Sequence, residues 1–243
     1  MKKLYQSEWH GITFSSVHPI SSRRLANADF YDAFYRALFL KYHNYDSLNP
    51  AWRRCKDEIA DWISDSLPDG ARVLSIGCGL GYIEQRLWYQ HGKRIELHVQ
   101  DYASQALKWL KQVLPGDRIH EVVTDNHQFD LIYLSAVDYS IPDAELTDFL
   151  SSLRRHLCNG GTLLIVSASY LDESAGTQAV AYFKDVARWI LEAMGIRHRG
   201  QFWGWMRSRH DYQSVMRRAV TSSVEDGFLI TPNQRTYWIK GMD

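Results

Sequence analysis

The segment from Val73 to Gly81 constrains the fold most strongly, because an apolar run leads directly into three glycines spaced two residues apart. A helix-like segment, from Tyr82 to Gln90, follows at once. Glycine has no Cβ, so such a loop takes unusual dihedrals and lets a ligand approach its backbone. A strand, a glycine turn and a helix N-terminus together form the nucleotide-cofactor cradle of a doubly wound α/β sheet.

The composition narrows the class of protein. The 28 basic and 28 acidic residues give a formal net charge of zero, which argues against a nucleic-acid or membrane-surface binder. Cys55, Cys78 and Cys158 form no CxxC pair, so neither a disulfide framework nor a metal site is indicated. No apolar run approaches the roughly 20 residues of a membrane helix, and the N-terminus lacks a signal peptide. We therefore expect a cytoplasmic protein with reduced thiols.

Strand and helix patterns alternate from residue 70 onward, which is typical of βαβ units around a parallel sheet. The predicted strands cover 71–76, 94–99, 118–123, 129–134 and 162–167. The predicted helices cover 82–91, 103–114 and 142–157, with Asn159–Gly161 as the C-cap of the last. Two more strands, near 220–230 and 235–240, form a closing antiparallel pair. We expect an α/β fold with a doubly wound, mostly parallel seven-stranded sheet.

The first 69 residues predict an N-terminal helical cap. Residues 1–27 have no regular pattern, a helix begins near Asp29, and Asn49-Pro50 supplies an N-cap and an N1 proline for the next helix. The many aromatic residues in this part favour a lid over the cofactor, although a layer that only adds core is an alternative. We assign the remaining residues, 70–243, to the second domain. Its insertion at about 168–210 covers the substrate and includes a helix of about 20 residues, from roughly 175 to 194.

The glycine spacing separates the cofactor classes. A P-loop needs a Lys-Ser or Lys-Thr pair after its last glycine, and none is present. A dinucleotide fingerprint needs Gly or Ala at the position of Tyr82, where a ring would obstruct the close contact of helix and strand. The observed order is G-x-G-x-G.

This segment resembles the first motif of the class I S-adenosylmethionine-dependent methyltransferases, which have a Rossmann-like fold. The resemblance extends over residues 71–167 and includes Asp101 after the second strand, Phe129–Ile132 and Asn159–Leu164. It implies S-adenosyl-L-methionine as the cofactor. One departure is Ser75, where the family commonly has an acid that helps to hold the ammonium group. Glu84 is a candidate to compensate for it in part.

The resemblance also implies roles for individual residues. The glycine loop lies against the methionine part of the cofactor, Asp101 accepts hydrogen bonds from the ribose hydroxyls, and Tyr102 stacks on adenine. A helix N-cap is the alternative role of Asp101, and an ordinary aromatic at the start of the helix is the alternative for Tyr102. Asp125 and Asn126 are the candidates to bond the adenine amine, with a turn as their alternative role. The candidate cofactor-binding residues are Gly77, Cys78, Gly79, Gly81, Asp101, Tyr102, Asp125, Asn126 and Ser135.

Three residues are candidates for catalysis. Ligands bind beyond the carboxyl ends of the strands in open α/β sheets, which places Ser135 to Tyr139 at the reaction site. Asp138 is a candidate base, with a surface acid as the alternative, and Tyr139 faces the cofactor. A histidine base suits an O-methyltransferase because its pKa lies near neutrality. His10, His18, His43 and His210 are among the ten histidines, and His210 lies next to an aromatic stretch.

That aromatic stretch predicts the acceptor site. Residues 197–218 hold six arginines and one acid, and arginine forks suit phosphate or carboxylate. The alternatives are a solvated arginine face and tryptophans that only cover the core. The candidate substrate-binding residues are Trp203, Trp205, Arg207 and Arg209.

The sequence therefore favours a methyltransferase that acts on a small molecule, with oxygen as the preferred methylated atom. A sugar, a nucleotide-sugar or a natural-product-like acceptor fits, and so does an anionic one. The arginine cluster motivates one alternative, an RNA methyltransferase. Ser75 and the lack of an obvious base motivate the other, a non-catalytic methyltransferase-like binding subunit.

Overall fold

The computed structural model describes residues 2–123, 127–171, 186–187, 190, 192, 194, 199–220, 223–231 and 234–242. The strands are β1 (Lys2–Gln6), β2 (Glu8–Trp9), β3 (Ile12–Thr13), β4 (Arg72–Ile76), β5 (Glu96–Gln100), β6 (Ile119–His120), β7 (Phe129–Ser135), β8 (Leu157–Ser167), β9 (Gln201–Met206), β10 (Ser223–Ile230) and β11 (Arg235–Met242). The helices with a continuous description are α1 (Ala28–Lys41), α2 (Pro50–Asp65), α3 (Tyr82–His91), α4 (Asp143–Arg154) and α5 (Arg209–Ala219).

Seven strands form the central sheet in the order β6-β5-β4-β7-β8-β11-β10. The first five of these are parallel, and β11 runs antiparallel between β8 and β10. The chain crosses from one side of β4 to the other between β5 and β7. The carboxyl ends of these three strands therefore meet at a topological switch point, where open α/β sheets bind ligands. The predicted doubly wound sheet with its antiparallel pair is confirmed.

Alternate side chains along each strand pack into two hydrophobic cores, one on each face of the sheet. Val73 and Tyr133 point to the face covered by α2 and α3. Their neighbours in sequence, Leu74 and Ile132, point to the face covered by α4 and α5. The parallel strands are thus buried on both faces, as their nearly continuous apolar sequence predicts.

Helix α2 begins where its capping sequence predicts. The side-chain oxygen of Asn49 accepts hydrogen bonds from the backbone N–H groups of Ala51 and Trp52, at 2.8 and 3.1 Å. Pro50 occupies the first turn, where its missing N–H costs nothing. Because α2 packs in the same core as β4 and α3, it joins the N-terminal residues to the sheet. The division of the chain into 1–69 and 70–243 stays a prediction.

The predicted helix over 103–114 is wrong. The structure has two short 3-10 turns there, Ala106–Lys108 and Leu110–Gln112. The N–H groups at the start of the segment bond to side chains, since Ala103 donates to Asp101 at 2.8 Å and Gln105 donates to Asp32 at 3.0 Å. Within the segment the backbone forms bonds between residues three apart, such as Ala106 N–H to the Ala103 carbonyl at 3.0 Å, in place of the ladder of an α-helix.

Two boundaries also differ from the sequence interpretation. The strand predicted over 118–123 contains only Ile119–His120. Asn159–Gly161 lies inside β8 and does not cap α4, which ends at Arg154. Pairing with β7 extends β8 to Leu157, with an irregular register beside Phe129. Gly160, at φ +77°, accommodates the irregularity.

The N-terminal residues are more regular than the sequence predicts. β1 pairs antiparallel with β9, and β2 and β3 form a hairpin. Phe14, Phe30 and Phe34 are buried around Trp203 of β9. Most of the helix predicted from about 175 to 194 lies outside the described residues. Of the helices that the structure describes, none is both long and apolar enough to span a bilayer.

Gly204→Ala is expected to lower the free energy of unfolding by at least about 2 kcal/mol. An added Cβ would lie 2.0 Å from the carbonyl oxygen of Tyr139, at a backbone φ of +149°. Urea unfolding measures the change. Gly116→Ala is the control, because nothing lies within 4 Å of its added Cβ, and a change within about 0.5 kcal/mol is expected. Equal effects of the two substitutions would contradict the packing of β9 on Tyr139.

Candidate active site

A cavity of about 670 Å³ opens at the carboxyl ends of β4, β5 and β7. Its floor is the segment from Gly77 to Gly81, and its roof comes from the first 56 residues and from Trp203. The volume is in the range of small-molecule sites. The switch point of the sheet and the N-terminal layer therefore enclose one cavity.

The three glycines of the floor are required by both conformation and space. Gly77, Gly79 and Gly81 have φ values of +63°, +58° and +72°. A Cβ on Gly77 would lie 2.6 Å from Val137, and one on Gly81 would lie 2.2 Å from Leu110. The Cβ position of Gly79 is 2.9 Å from the Tyr35 hydroxyl. The loop therefore presents bare backbone to the cavity.

Asp101 lines the cavity immediately after β5 and is 7% exposed. Its Oδ2 accepts a hydrogen bond from the Gly79 N–H at 2.7 Å, and its Oδ1 accepts one from the Ala103 N–H at 2.8 Å. Burial raises the pKa of this carboxyl. A carboxylate has about four acceptor sites, so capacity remains for further donors. The local capping role is thus present and leaves room for a ligand.

Glu84 of α3 places a carboxyl beside Ser75, where the sequence lacks one. The Ser75 hydroxyl and the Tyr133 hydroxyl each donate a hydrogen bond to Glu84 Oε1 at 2.6 Å. Glu84 is 2% exposed and lines the cavity with Ser75. Burial raises the pKa of Glu84, although both hydrogen bonds oppose the rise.

Lys56 also lines the cavity, and the sequence interpretation missed it. Its Nζ lies 3.4 Å from the Ser135 hydroxyl and 5.9 Å from the Trp52 ring centre. Burial lowers the pKa of the ammonium group, while Cys55 and Glu84 raise it. The available signal was a lysine four residues after Trp52, next to the inward stripe of α2.

Several predicted site residues do line the cavity. Ser135 and Tyr139 come from the segment after β7, Cys78 from the glycine loop, and Trp203 from β9. Tyr102 lines it as well and is 56% exposed. Asp125 and Asn126 lie outside the described residues.

Asp138 does not line the cavity, which corrects its assignment as a base. The side chain is fully buried, and its Oδ2 accepts hydrogen bonds from the hydroxyls of Tyr212 and Ser167. Arg207 lies beside it and donates to its backbone carbonyl at 2.7 Å. Burial raises the pKa of Asp138, while Tyr212 and Arg207 lower it. Asp138 therefore joins α5 to the segment after β7.

The predicted arginine site is also corrected. Arg207 is completely buried, where its Nε donates to Asp143. Nε of Arg209 lies 2.6 Å from Oδ2 of Asp226 in an ion pair, and the Arg209 side chain is 55% exposed. His210 is exposed at the start of α5, and the Trp205 ring packs on Phe202. None of these four residues lines the described cavity.

Trp203 alone of the predicted substrate-binding group lines the cavity. Its ring stacks on Phe14 at 5.0 Å and on Tyr139 at 6.0 Å between ring centres. It therefore serves both the aromatic core of the N-terminal layer and the cavity wall. In the described part of the chain, no three or more His, Cys, Asp or Glu side chains are arranged to hold a metal ion.

The family follows from the sequence match. A family model described as a methyltransferase domain matches residues 43–220, so the chain belongs to this family. The resemblance to class I methyltransferases is confirmed. No curated protein matches the sequence.

Solved structures share the fold at low identity. Magnesium protoporphyrin IX methyltransferase (ChlM) from Synechocystis PCC 6803 with bound SAH has a TM-score of 0.59 at 14% identity, over 88% of this chain and 96% of that one. PigF with SAH has a TM-score of 0.57 at 17% identity, over 89% of this chain and 60% of PigF. An O-methyltransferase family protein from Burkholderia thailandensis has a TM-score of 0.54 at 15% identity, over 89% of this chain and 60% of that one. The chain thus spans 60% of the length of these last two proteins.

The raised pKa of Glu84 makes stability depend on pH. The folded state favours the protonated carboxyl, so this stabilisation is present below the ordinary pKa and is lost as the pH rises through the raised value. Glu84→Gln stays neutral, and we expect its free energy of unfolding to rise relative to the wild type between about pH 5 and about pH 8. Urea unfolding at both values measures the difference.

Glu58→Gln, at an exposed position of α2, is the control for this measurement. The difference in free energy of unfolding between Glu58→Gln and the wild type should change much less over the same pH range. A pH-independent difference for Glu84→Gln would contradict the buried placement of this carboxyl.

Proposed function

We propose that the protein transfers a methyl group from S-adenosyl-L-methionine to a hydroxyl oxygen of a small-molecule acceptor. One observation carries this proposal. Three left-handed glycines present bare backbone to a cavity, and Asp101 lies next to them with acceptor capacity to spare. Such a pairing of glycine turn and carboxylate suits a cofactor with a nucleoside at one end.

The residues present fit the parts of this cofactor. Asp101 would accept hydrogen bonds from the ribose hydroxyls, and Glu84 and Ser75 would face the ammonium group. Lys56 supplies a cation on the same wall, which suits a carboxylate. When bound, the cofactor supplies an electrophilic methyl group on a sulfonium. The work of the protein is then to align the acceptor oxygen with that methyl group and to exclude water.

The cavity wall supports a ring-bearing acceptor. Trp9, Tyr42, Trp52 and Trp203 line it, and flat apolar faces favour a flat ligand. Among the similar structures, the magnesium protoporphyrin IX methyltransferase is named for a ring-bearing acceptor, and the Burkholderia thailandensis protein is named for methylation of oxygen. Natural-product-like acceptors fit the wall better than plain sugars do. A cytoplasmic setting stays a prediction from the sequence.

Neither alternative function gains support from the structure. The arginine cluster that motivated an RNA acceptor contains the buried Arg207 and the paired Arg209. The missing acid at Ser75, which motivated a non-catalytic subunit, is replaced by Glu84. Arg207, Arg209 and Ser75 are thus engaged by other residues of the protein, which weakens the case for both alternatives.

Calorimetry with S-adenosylhomocysteine tests the cofactor assignment. We expect Asp101→Ala to weaken binding at least about tenfold, since a hydrogen bond to a charged group is worth about 1.5–3 kcal/mol. Asp101→Asn keeps an oxygen for the Gly79 N–H and removes the charge, so it should lose less affinity.

Asp117→Ala is the control for both variants, because its side chain is 76% exposed and outside the cavity. Its dissociation constant should equal that of the wild type. Thermal unfolding verifies that each variant is folded. Absence of binding to the wild-type protein would contradict the proposed function, and an unchanged dissociation constant for Asp101→Ala would contradict the role of this residue.

A further inference from the structure

The hairpin between β2 and β3 places a histidine at the roof of the cavity. Its two-residue turn consists of His10 and Gly11, with φ values of +50° and +66°. Positive φ at both positions is the requirement of a type I′ turn, which prefers Asn-Gly or Asp-Gly. A histidine in the left-handed region is uncommon and marks a position worth explaining. The family match begins at residue 43, so this hairpin lies outside it.

The turn is fixed to the end of α1. The Tyr42 hydroxyl donates a hydrogen bond to the His10 carbonyl at 2.9 Å, and Lys41 Nζ donates to the Gly11 carbonyl at 2.6 Å. The centre of the His10 ring lies 4.9 Å from the ring centre of Trp9 and 4.9 Å from that of Trp52. Hydrogen bonds therefore hold the backbone of the turn, and ring contacts hold the imidazole.

The imidazole itself has unused hydrogen-bonding capacity. Its ring lines the cavity, and Nε2 is buried with no hydrogen-bond partner among the residues that the structure describes. A buried polar atom without a partner is rare and calls for an explanation such as a ligand or a catalytic role. Burial, together with the charges of Lys41 and Lys56, lowers the pKa of His10 to about 4. The ring is thus neutral at physiological pH, and a neutral imidazole carries one unprotonated nitrogen.

The other candidate groups are less suited to accept a proton. Asp138 is buried outside the cavity, and His210 is exposed on α5. Burial raises the pKa of the Tyr139 hydroxyl to about 12, so it remains protonated. Lys56 is the rival within the cavity, since burial lowers the pKa of its ammonium group while Cys55 and Glu84 raise it, but its Nζ already lies 3.4 Å from the Ser135 hydroxyl.

We propose that His10 is the catalytic base for a ring-bearing hydroxyl acceptor of the phenol class, which lies against Trp9 and Trp52. This inference rests on the proposed methyl transfer. The acceptor oxygen forms a bond to the methyl carbon as the bond from that carbon to sulfur breaks, and the electron pair of the broken bond goes to sulfur. The hydroxyl proton passes to a ring nitrogen of His10. The products are a methyl ether, a neutral thioether and an imidazolium, which later releases its proton to solvent.

His10→Asn is the variant that separates catalysis from folding. Asn tolerates positive φ, and Asn-Gly is a preferred type I′ pair, so the hairpin should form. The amide of asparagine cannot take the proton. His43→Asn makes the same chemical change at an exposed position just after α1 and serves as the matched control.

The probes are S-adenosylhomocysteine for the cofactor site, and 4-nitrophenol and catechol with S-adenosylmethionine for turnover. We expect the wild type to bind the phenols and methylate at least one of them. His10→Asn should bind S-adenosylhomocysteine within about twofold of the wild type and lose about a hundredfold in kcat, the typical effect of losing a general base. The acid limb of kcat/KM in the wild type should lie near the lowered pKa of His10, which is about 4.

Three outcomes would overturn the inference while leaving the cofactor assignment intact. His10→Asn could retain wild-type turnover, or the wild type could bind S-adenosylhomocysteine but neither phenol. Lys56→Met could abolish turnover while His10→Asn does not, which would assign the base to Lys56. Failure of the wild type to bind S-adenosylhomocysteine would instead reject the proposed function.

Discussion

The whole site depends on the left-handed backbone of the glycine loop and on the side chains packed against it. Val137 from the segment after β7 and Leu110 from the segment after β5 occupy the space where side chains of the loop would lie. The Gly79 N–H is held by the Asp101 carboxylate. The three strand ends are therefore locked together through one turn, and a substitution in that turn would disturb all of them at once.

A second constraint couples the roof of the cavity to its wall. β1 pairs with β9, and β9 carries Trp203, whose ring stacks on Tyr139 beside the strand ends. Trp9 of the hairpin stacks on Phe34 of α1 at 5.0 Å. The N-terminal layer is thus part of the aromatic core and also part of the site. Such rigid support is what a methyl transfer needs, because the reacting atoms must be held in line.

The sequence predicted what local chemistry determines and missed what distant contacts determine. The glycine loop, the start of α2 at Asn49 and most of the alternating elements depend on neighbouring residues and were predicted, whereas the helix over 103–114 was not formed. The pairing of β1 with β9 was not, because its partners lie about 200 residues apart. Arg207 looked like a surface ligand, since nothing nearby in sequence reveals the carbonyls and Asp143 that enclose it. The sequence analysis missed Lys56 and did not distinguish His10 from the other histidines, because only the folded chain brings these two residues to the cavity.

A crystal structure with S-adenosylhomocysteine would test the cofactor site, because it locates every part of the ligand at once. We expect the amino-acid end against Gly77 to Gly81, near Glu84, and the ribose hydroxyls within hydrogen-bond distance of Asp101. We also expect an open space between the sulfur atom and His10. Ligand density elsewhere, or a ribose that does not contact Asp101, would show that this cavity is not the cofactor site.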